Sequence, residues 1–198
     1  MLPIAREFQT LFVFWTVVCV AVTLFNDGFV VWTWTLWLLL ICLLRDFRRR
    51  VPASPLATIS PVDGRIIAIA SGYDPYLARD AVIYTIQQSR FGEFNLHSPA
   101  EGKVKQLWLQ DASQAKCLAF WTQTDEMDDV VLEIALPAYL QHASTSIHPG
   151  ERVGQGQRCG FAAFACTVKV YLPANVKRVG CIHDRVIAGR DTLANFTH

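Results

Sequence analysis

The pattern of apolar and polar positions divides the chain in two. Residues 8–25 (FQTLFVFWTVVCVAVTLF) and 29–44 (FVVWTWTLWLLLICLL) carry no charge, and Asn26-Asp27-Gly28 between them is a turn signal. The second run stops at Arg45, where a basic cluster continues to Arg50. A helix that crosses a bilayer needs about 20 apolar residues, within a range of about 17–25. The first run meets that length and the second falls slightly short. The pattern therefore predicts a membrane anchor over residues 1–50, as two short transmembrane helices or a shallower helical hairpin. Trp15, Trp32, Trp34 and Trp37, with arginines flanking, suit a membrane interface better than a hairpin buried in a protein core. Two apolar runs without a small-residue cleavage site also argue against a removed signal peptide.

From Val51 onward the pattern changes to short runs separated by turn residues. Residues 51–61 (VPASPLATISP) read as a linker. Strand-like runs follow at Arg65–Ala70, Ala81–Gln87, Gly102–Trp108, Lys116–Thr122, Val130–Leu136 and Thr167–Leu172. Asp63-Gly64, Ser71-Gly72, Asp74-Pro75, Pro149-Gly150 and Gly154-Gln155-Gly156 punctuate them. Short strands at fairly regular spacing predict a mainly β domain over residues 51–198, a compact sandwich or barrel-like fold. Pro137–Ala143 is predicted as a short helix or a single helical turn.

Charge and cysteine content narrow the function classes. The net charge is +1, and no basic stripe with interleaved aromatics appears, which excludes a nucleic-acid partner. The six cysteines lack paired C-x-x-C spacing, so no metal site is expected. Their irregular spacing in a domain of ordinary size does not suit a secreted disulfide framework. They read as reduced thiols. The positive-inside rule places Arg45–Arg50, and with them the β domain, on the cytoplasmic side of the cell membrane.

Several stretches carry a family resemblance. Arg45-Asp-Phe-Arg-Arg-Arg-Val-Pro52 followed by Ser60-Pro-Val-Asp-Gly64 resembles the run after the membrane anchor of short phosphatidylserine decarboxylases. Phe91-Gly-Glu-Phe-Asn-Leu-His-Ser-Pro-Ala-Glu-Gly-Lys-Val104 resembles the family's histidine segment ahead of a Pro-x-x-Gly turn. Pro149-Gly-Glu-Arg-Val153 through Cys159-Gly-Phe161 to Phe164-Ala-Cys-Thr-Val-Lys-Val-Tyr-Leu-Pro173 resembles its processing region. The four stretches occur in family order and span nearly the whole chain.

The resemblance implies a proenzyme that makes a pyruvoyl cofactor from its own backbone. A side-chain nucleophile attacks the preceding carbonyl, the chain is cut by elimination, and the new fragment carries a carbonyl cap that serves as an electron sink. An aspartate and a histidine assist as an acid–base pair. Carried over, the aspartate is Asp63, the histidine is His97 with Gly102 as the turn glycine, and the cleavage pair is Ala165-Cys166. The catalytic set is then Asp63, His97 and Cys166, with Cys166 as pyruvoyl precursor and membrane phosphatidylserine as substrate. The resemblance also leaves room for association of the two self-cleavage fragments and for a homo-oligomer.

Three positions depart from the family. Cys166 stands for serine, Ala165 for glycine, and Phe94 for a second histidine tied to decarboxylation. Short members keep that histidine and carry arginine at the His97 position, so the chain mixes two patterns. A thiol can nonetheless attack a carbonyl and give a thioester. Read without the family, Asp63 is a turn residue, His97 a structural histidine and Cys166 core filling. His148, His183, Cys117, Cys159 and Cys181 carry no predicted role. The second function class is an unprocessed relative that binds lipid or a membrane partner. A lipoyl- or phosphocarrier-like domain ranks third, because no hairpin displays a lysine for modification.

Overall fold

The computed structural model describes residues 9–25, 27–43, 51, 54, 56–90, 92–112, 115–137, 143–162 and 166–197. The chain divides into two compact units, Met1–Arg48 and Arg49–His198.

The first unit holds α1 (Gln9–Phe25), a single 3-10 turn at Asp27–Phe29, and α2 (Val30–Leu43). Threonine hydroxyls turn back onto carbonyls of the preceding turn, from Thr16 to Phe12 and from Thr23 to Cys19. Two indole N–H groups join the helices, Trp37 donating to Thr16 Oγ1 at 2.9 Å and Trp34 to Thr23 Oγ1 at 3.1 Å. At 1.5 Å per residue the helices are about 26 and 21 Å long, against a hydrocarbon core of about 30 Å. Among the described residues no helix is long and apolar enough to cross a membrane. The two helices and their turn lie where the apolar runs put them, but the crossing expected of them does not follow from these lengths. The basic cluster Arg45–Arg50 lies outside the described residues.

The second unit is mainly β, as its pattern predicts. In chain order the strands are β1 (Ala57–Ile59), β2 (Gly64–Asp74), β3 (Arg79–Gln88), β4 (Asn95–His97), β5 (Gly102–Ala112), β6 (Ala115–Gln123) and β7 (Asp129–Pro137). Then come β8 (Ala143–Thr145), β9 (Arg152–Val153), β10 (Arg158–Ala162), β11 (Thr167–Pro173), β12 (Lys177–Arg178), β13 (Arg185–Val186) and β14 (Thr192–Asn195). An eight-stranded curled sheet runs β13-β2-β3-β11-β7-β6-β5-β9. Two three-stranded sheets, β1-β14-β12 and β4-β10-β8, accompany it. Every pairing is antiparallel.

All six predicted runs are strands, and they form the centre of the large sheet. The alternation that marks them sends Ile66, Ile86, Val168, Val170, Ile134, Leu132, Leu118 and Phe120 into one core. The smaller strands differ from expectation. Part of the supposed linker is β1, whose Ala57, Thr58 and Ile59 are fully buried against β14. A three-residue strand is too short for periodicity to show. Pro137 closes β7 and Ala143 opens β8, and the predicted helical turn between them lies outside the described residues. Cys19, Cys117, Cys159, Cys166 and Cys181 are free thiols.

Two glycines of the predicted motifs are explained by close backbone approach. A Cβ on Gly102 would sit 2.1 Å from the Gln123 carbonyl oxygen, and one on Gly64 would sit 2.2 Å from that of Gln87. Gly102→Ala is expected to destabilise the domain by about 1–3 kcal/mol through this overpacking, read as a lowered urea midpoint of the full-length protein. An unchanged midpoint would show that β5 and β6 can separate at little cost.

Candidate active site

The site forms at the C-terminal end of β3. Gln88 N–H donates to the Cys166 carbonyl at 3.0 Å, and the next amide, Ser89 N–H, donates to the Asp63 carbonyl at 2.8 Å. Asp63 immediately precedes β2 and Cys166 immediately precedes β11, the two neighbours of β3. The sheet thus brings the aspartate and the cysteine to one end, on either side of β3. With strands about 4.8 Å apart, their backbones are about 10 Å from each other.

Asp63 is a three-way clasp. Its Oδ2 accepts the Glu93 N–H at 3.0 Å, and its Oδ1 accepts the Ala188 N–H at 2.8 Å. The carboxylate therefore fixes the segment that leads into β4 and the turn that precedes β14. Gly92 makes room for this, since a Cβ there would lie 2.7 Å from that of Asp63.

His97 is buried on β4, and both ring nitrogens face acceptor atoms. Nδ1 lies 2.8 Å from the Gly156 carbonyl and Nε2 lies 3.2 Å from Glu93 Oε1. A carbonyl only accepts, so Nδ1 carries hydrogen, and the tautomer is assigned from this partner. Nε2 is then paired with the Glu93 carboxylate. Asn95 Nδ2 donates to the same Glu93 oxygen at 2.6 Å. The Gly154–Gly156 turn supplies the carbonyl, and the Gly156 φ of +68° lets it fold onto Ser98. At Gly189, also left-handed at φ +69°, an added Cβ would lie 3.5 Å from His97 Nδ1.

Cys166 is fully buried. Its Sγ–H donates to Gln88 Oε1 at 3.1 Å, and its N–H approaches the same oxygen at 3.3 Å. Gln88 Nε2 donates to the Ala162 carbonyl at 3.1 Å, so one side chain holds the residues on both sides of 163–165. Gln87 Nε2 donates to the Cys166 carbonyl at 3.3 Å. Burial pushes the Cys166 thiol up to about 12, so it is un-ionised at neutral pH. Ala165, the other half of the expected cleavage pair, lies outside the described residues. Phe94 is buried and meets Phe161 edge-on at 6.3 Å.

Asp63 and His97 thus belong to one network, joined through Glu93, while the thiol of Cys166 is held by Gln88. Sequence reading missed both connecting residues. Glu93 carried a signal, as a lone acid in the apolar run Phe91–Leu96. Gln88 carried none, because a glutamine at a strand end is ordinary.

Comparison with known proteins decides the family. The chain is 34% identical to the phosphatidylserine decarboxylase proenzyme of Nitrosomonas europaea over 181 residues, covering 83% of this chain and 84% of that protein. The chain belongs to the phosphatidylserine decarboxylase family. The proenzyme of the same name from Nitrosomonas eutropha is 33% identical over 84% of the chain and 83% of its own length. That of Burkholderia vietnamiensis is 28% identical over 82% and 83%. No family model matches, and no solved structure matches.

Two outcomes follow for this decarboxylase family member. Glu93→Ala leaves a buried imidazole facing no carboxylate, and should cost about 3–5 kcal/mol of stability, whereas Glu93→Gln keeps an acceptor and should cost less. Chemical denaturation of the full-length protein checks this, and equal losses would deny that an acceptor at His97 Nε2 matters. In the uncleaved chain, Cys166 should be alkylated at least about a hundredfold more slowly than exposed Cys181 at neutral pH. Its rate should rise as pH climbs toward 12, as peptide mapping after iodoacetamide would show.

Proposed function

We propose that the protein converts phosphatidylserine to phosphatidylethanolamine through a pyruvoyl group generated from its own Cys166. The observation that carries the proposal is family membership over more than four-fifths of the chain. The site supports it, with Cys166, Asp63 and His97 drawn to one end of the sheet around Gln88, Ser89 and Glu93.

The residues fit a self-processing role in connectivity. Cys166 opens β11, so a cut before it leaves the strand intact in its ladder with β3 and β7. Sγ attack on the Ala165 carbonyl would transfer the acyl group from nitrogen to sulfur. Elimination would then remove the Cα proton to a base, break the Cβ–S bond, release a thiocarboxylate on the upstream fragment and leave dehydroalanine. Addition of water with loss of ammonia completes the conversion. The carbonyl so produced supplies an electron sink for loss of carbon dioxide.

The thiol must lose its proton before or during attack, and burial opposes that. Gln88 Oε1 orients the S–H but is no base. His97 and Glu93 form an acid–base pair at the same site, and Asp63 fixes the segment that carries Glu93. Phe94 and Phe161 place apolar rings beside this segment and exclude water from it. The exposed apolar surface of α1 and α2, such as Phe14, Phe25, Trp32 and Leu38, suits contact with a bilayer. In this reading the anchor holds the β domain at the cytoplasmic face of the membrane, where the lipid substrate resides.

Intact-mass measurement of the purified full-length protein tests the proposal. The expected result is two fragments, residues 1–165 and 166–198, with the second blocked at its N-terminus, together with carbon dioxide release from phosphatidylserine. A single uncut chain without decarboxylation would overturn it and favour an unprocessed, lipid-binding relative. Cys166→Ser should process at least as well as the natural sequence, since it restores the family's residue.

A further inference from the structure

We infer that the edge of the large sheet beside the candidate site, formed by β2, β13 and the strap 177–185, is a docking surface for an anionic phospholipid membrane. The inference rests on the reading of the substrate as a membrane lipid, but its residues lie outside the machinery described above.

The strap reads Lys177-Arg-Val-Gly-Cys-Ile-His-Asp-Arg185. It leaves β12, crosses beside β2 and returns as β13. Val179 and Gly180 N–H both donate to the Leu193 carbonyl at 3.0 Å. His183 N–H donates to the Ile66 carbonyl at 2.8 Å, and Ile66 N–H donates to that of Asp184 at 3.0 Å. The backbone is thus laid along β2 and its side chains are turned outward. A tight turn forms the tip, with Asp184 Oδ2 accepting the Cys181 N–H at 2.8 Å and His183 left-handed at φ 74°. A left-handed non-glycine residue is uncommon, and here it displays Ile182 at the tip.

Charge is concentrated on this edge. Arg65 of β2 and Arg185 of β13 are directly opposite in register, so their side chains project side by side on one face. Like charges placed so are destabilising, and neither guanidinium has an ion-pair partner among the described residues. Lys177 and Arg178 extend the stripe, and Arg178 Nη2 reaches Ser71 Oγ at 2.7 Å further along β2. The strap's one acid, Asp184, is committed to its turn. The acids Asp125, Glu126, Asp128 and Asp129 gather instead at the β6–β7 turn, separated from this edge by β3 and β11.

Apolar side chains stand among these cations. Ile67 is 43% exposed, Val179 47% and Ile182 49%. Ile67 is the extra residue of a β-bulge, where the register with β3 shifts between Ile66 and Ala68. Exposed aliphatic groups ringed by Lys and Arg match a bilayer interface, where the aliphatics enter the acyl boundary and the cations meet phosphate. The surface also leads to the site. Gly64, next to Asp63, pairs with Val186, and two residues further on Ala188 N–H holds the Asp63 carboxylate.

Hydrogen exchange of the full-length protein in lipid nanodiscs tests the assignment. Amides of 179–185 should exchange roughly tenfold more slowly in discs of mixed phosphatidylcholine and phosphatidylglycerol than in phosphatidylcholine alone. The Arg65→Glu/Arg185→Glu double variant should lose that difference, with exchange in β3 and β11 unchanged as the check on folding. Equal exchange in the two lipids, or slowing that survives the double variant, would overturn the assignment. Phosphatidylglycerol is not the proposed substrate, so the result stands apart from turnover. Decarboxylation without lipid-dependent protection would sink the docking surface alone.

Discussion

The hydrogen bonds at the end of β3 are the constraint on which the candidate site depends. Two consecutive amides, those of Gln88 and Ser89, bind the carbonyls of Cys166 and Asp63. Consecutive residues of a strand offer their N–H groups to opposite sides, so this pair can clamp both neighbouring strands. Register does the rest. Because Gly64 opposes Gln88 and Thr167 opposes Gln87, the residues just before them are brought level. A one-residue slip of β3 would turn Gln88 away from Cys166 and send the core side chains to the wrong face.

Around that clamp polar side chains bond to one another and to the backbone, which sets their chemistry. Asp63 holds backbone amides from two segments, Glu93 meets His97, and Gln88 bridges Ala162 and Cys166. A buried carboxylate is tolerable because the imidazole and the Asn95 amide meet it. A buried thiol is tolerable because it remains un-ionised. The arrangement therefore keeps the Cys166 thiol protonated and held by the Gln88 side chain.

The residues around the site have definite surroundings in this setting. Phe94 packs against Phe161, so the segment before His97 is anchored by apolar contact. The carboxylate at His97 Nε2 comes from Glu93, four residues earlier, and Asp63 acts on Glu93 through its backbone N–H. Cys166 stands just before β11, where Gln88 holds its thiol.

The sequence by itself determined the two-part organisation, the mainly β class and the six central strands. Those features rest on local periodicity, which is written in adjacent residues. It also marked Asp63, His97 and Cys166, though through resemblance to a family and not through any pattern of their own. The short strands escaped it, since three residues such as Ala57–Ile59 have no period to detect. Glu93, Gln88 and the opposed Arg65 and Arg185 were decided only by tertiary structure. Their partners lie 4, 78 and 120 positions away along the chain, and strand register alone determines which of them meet.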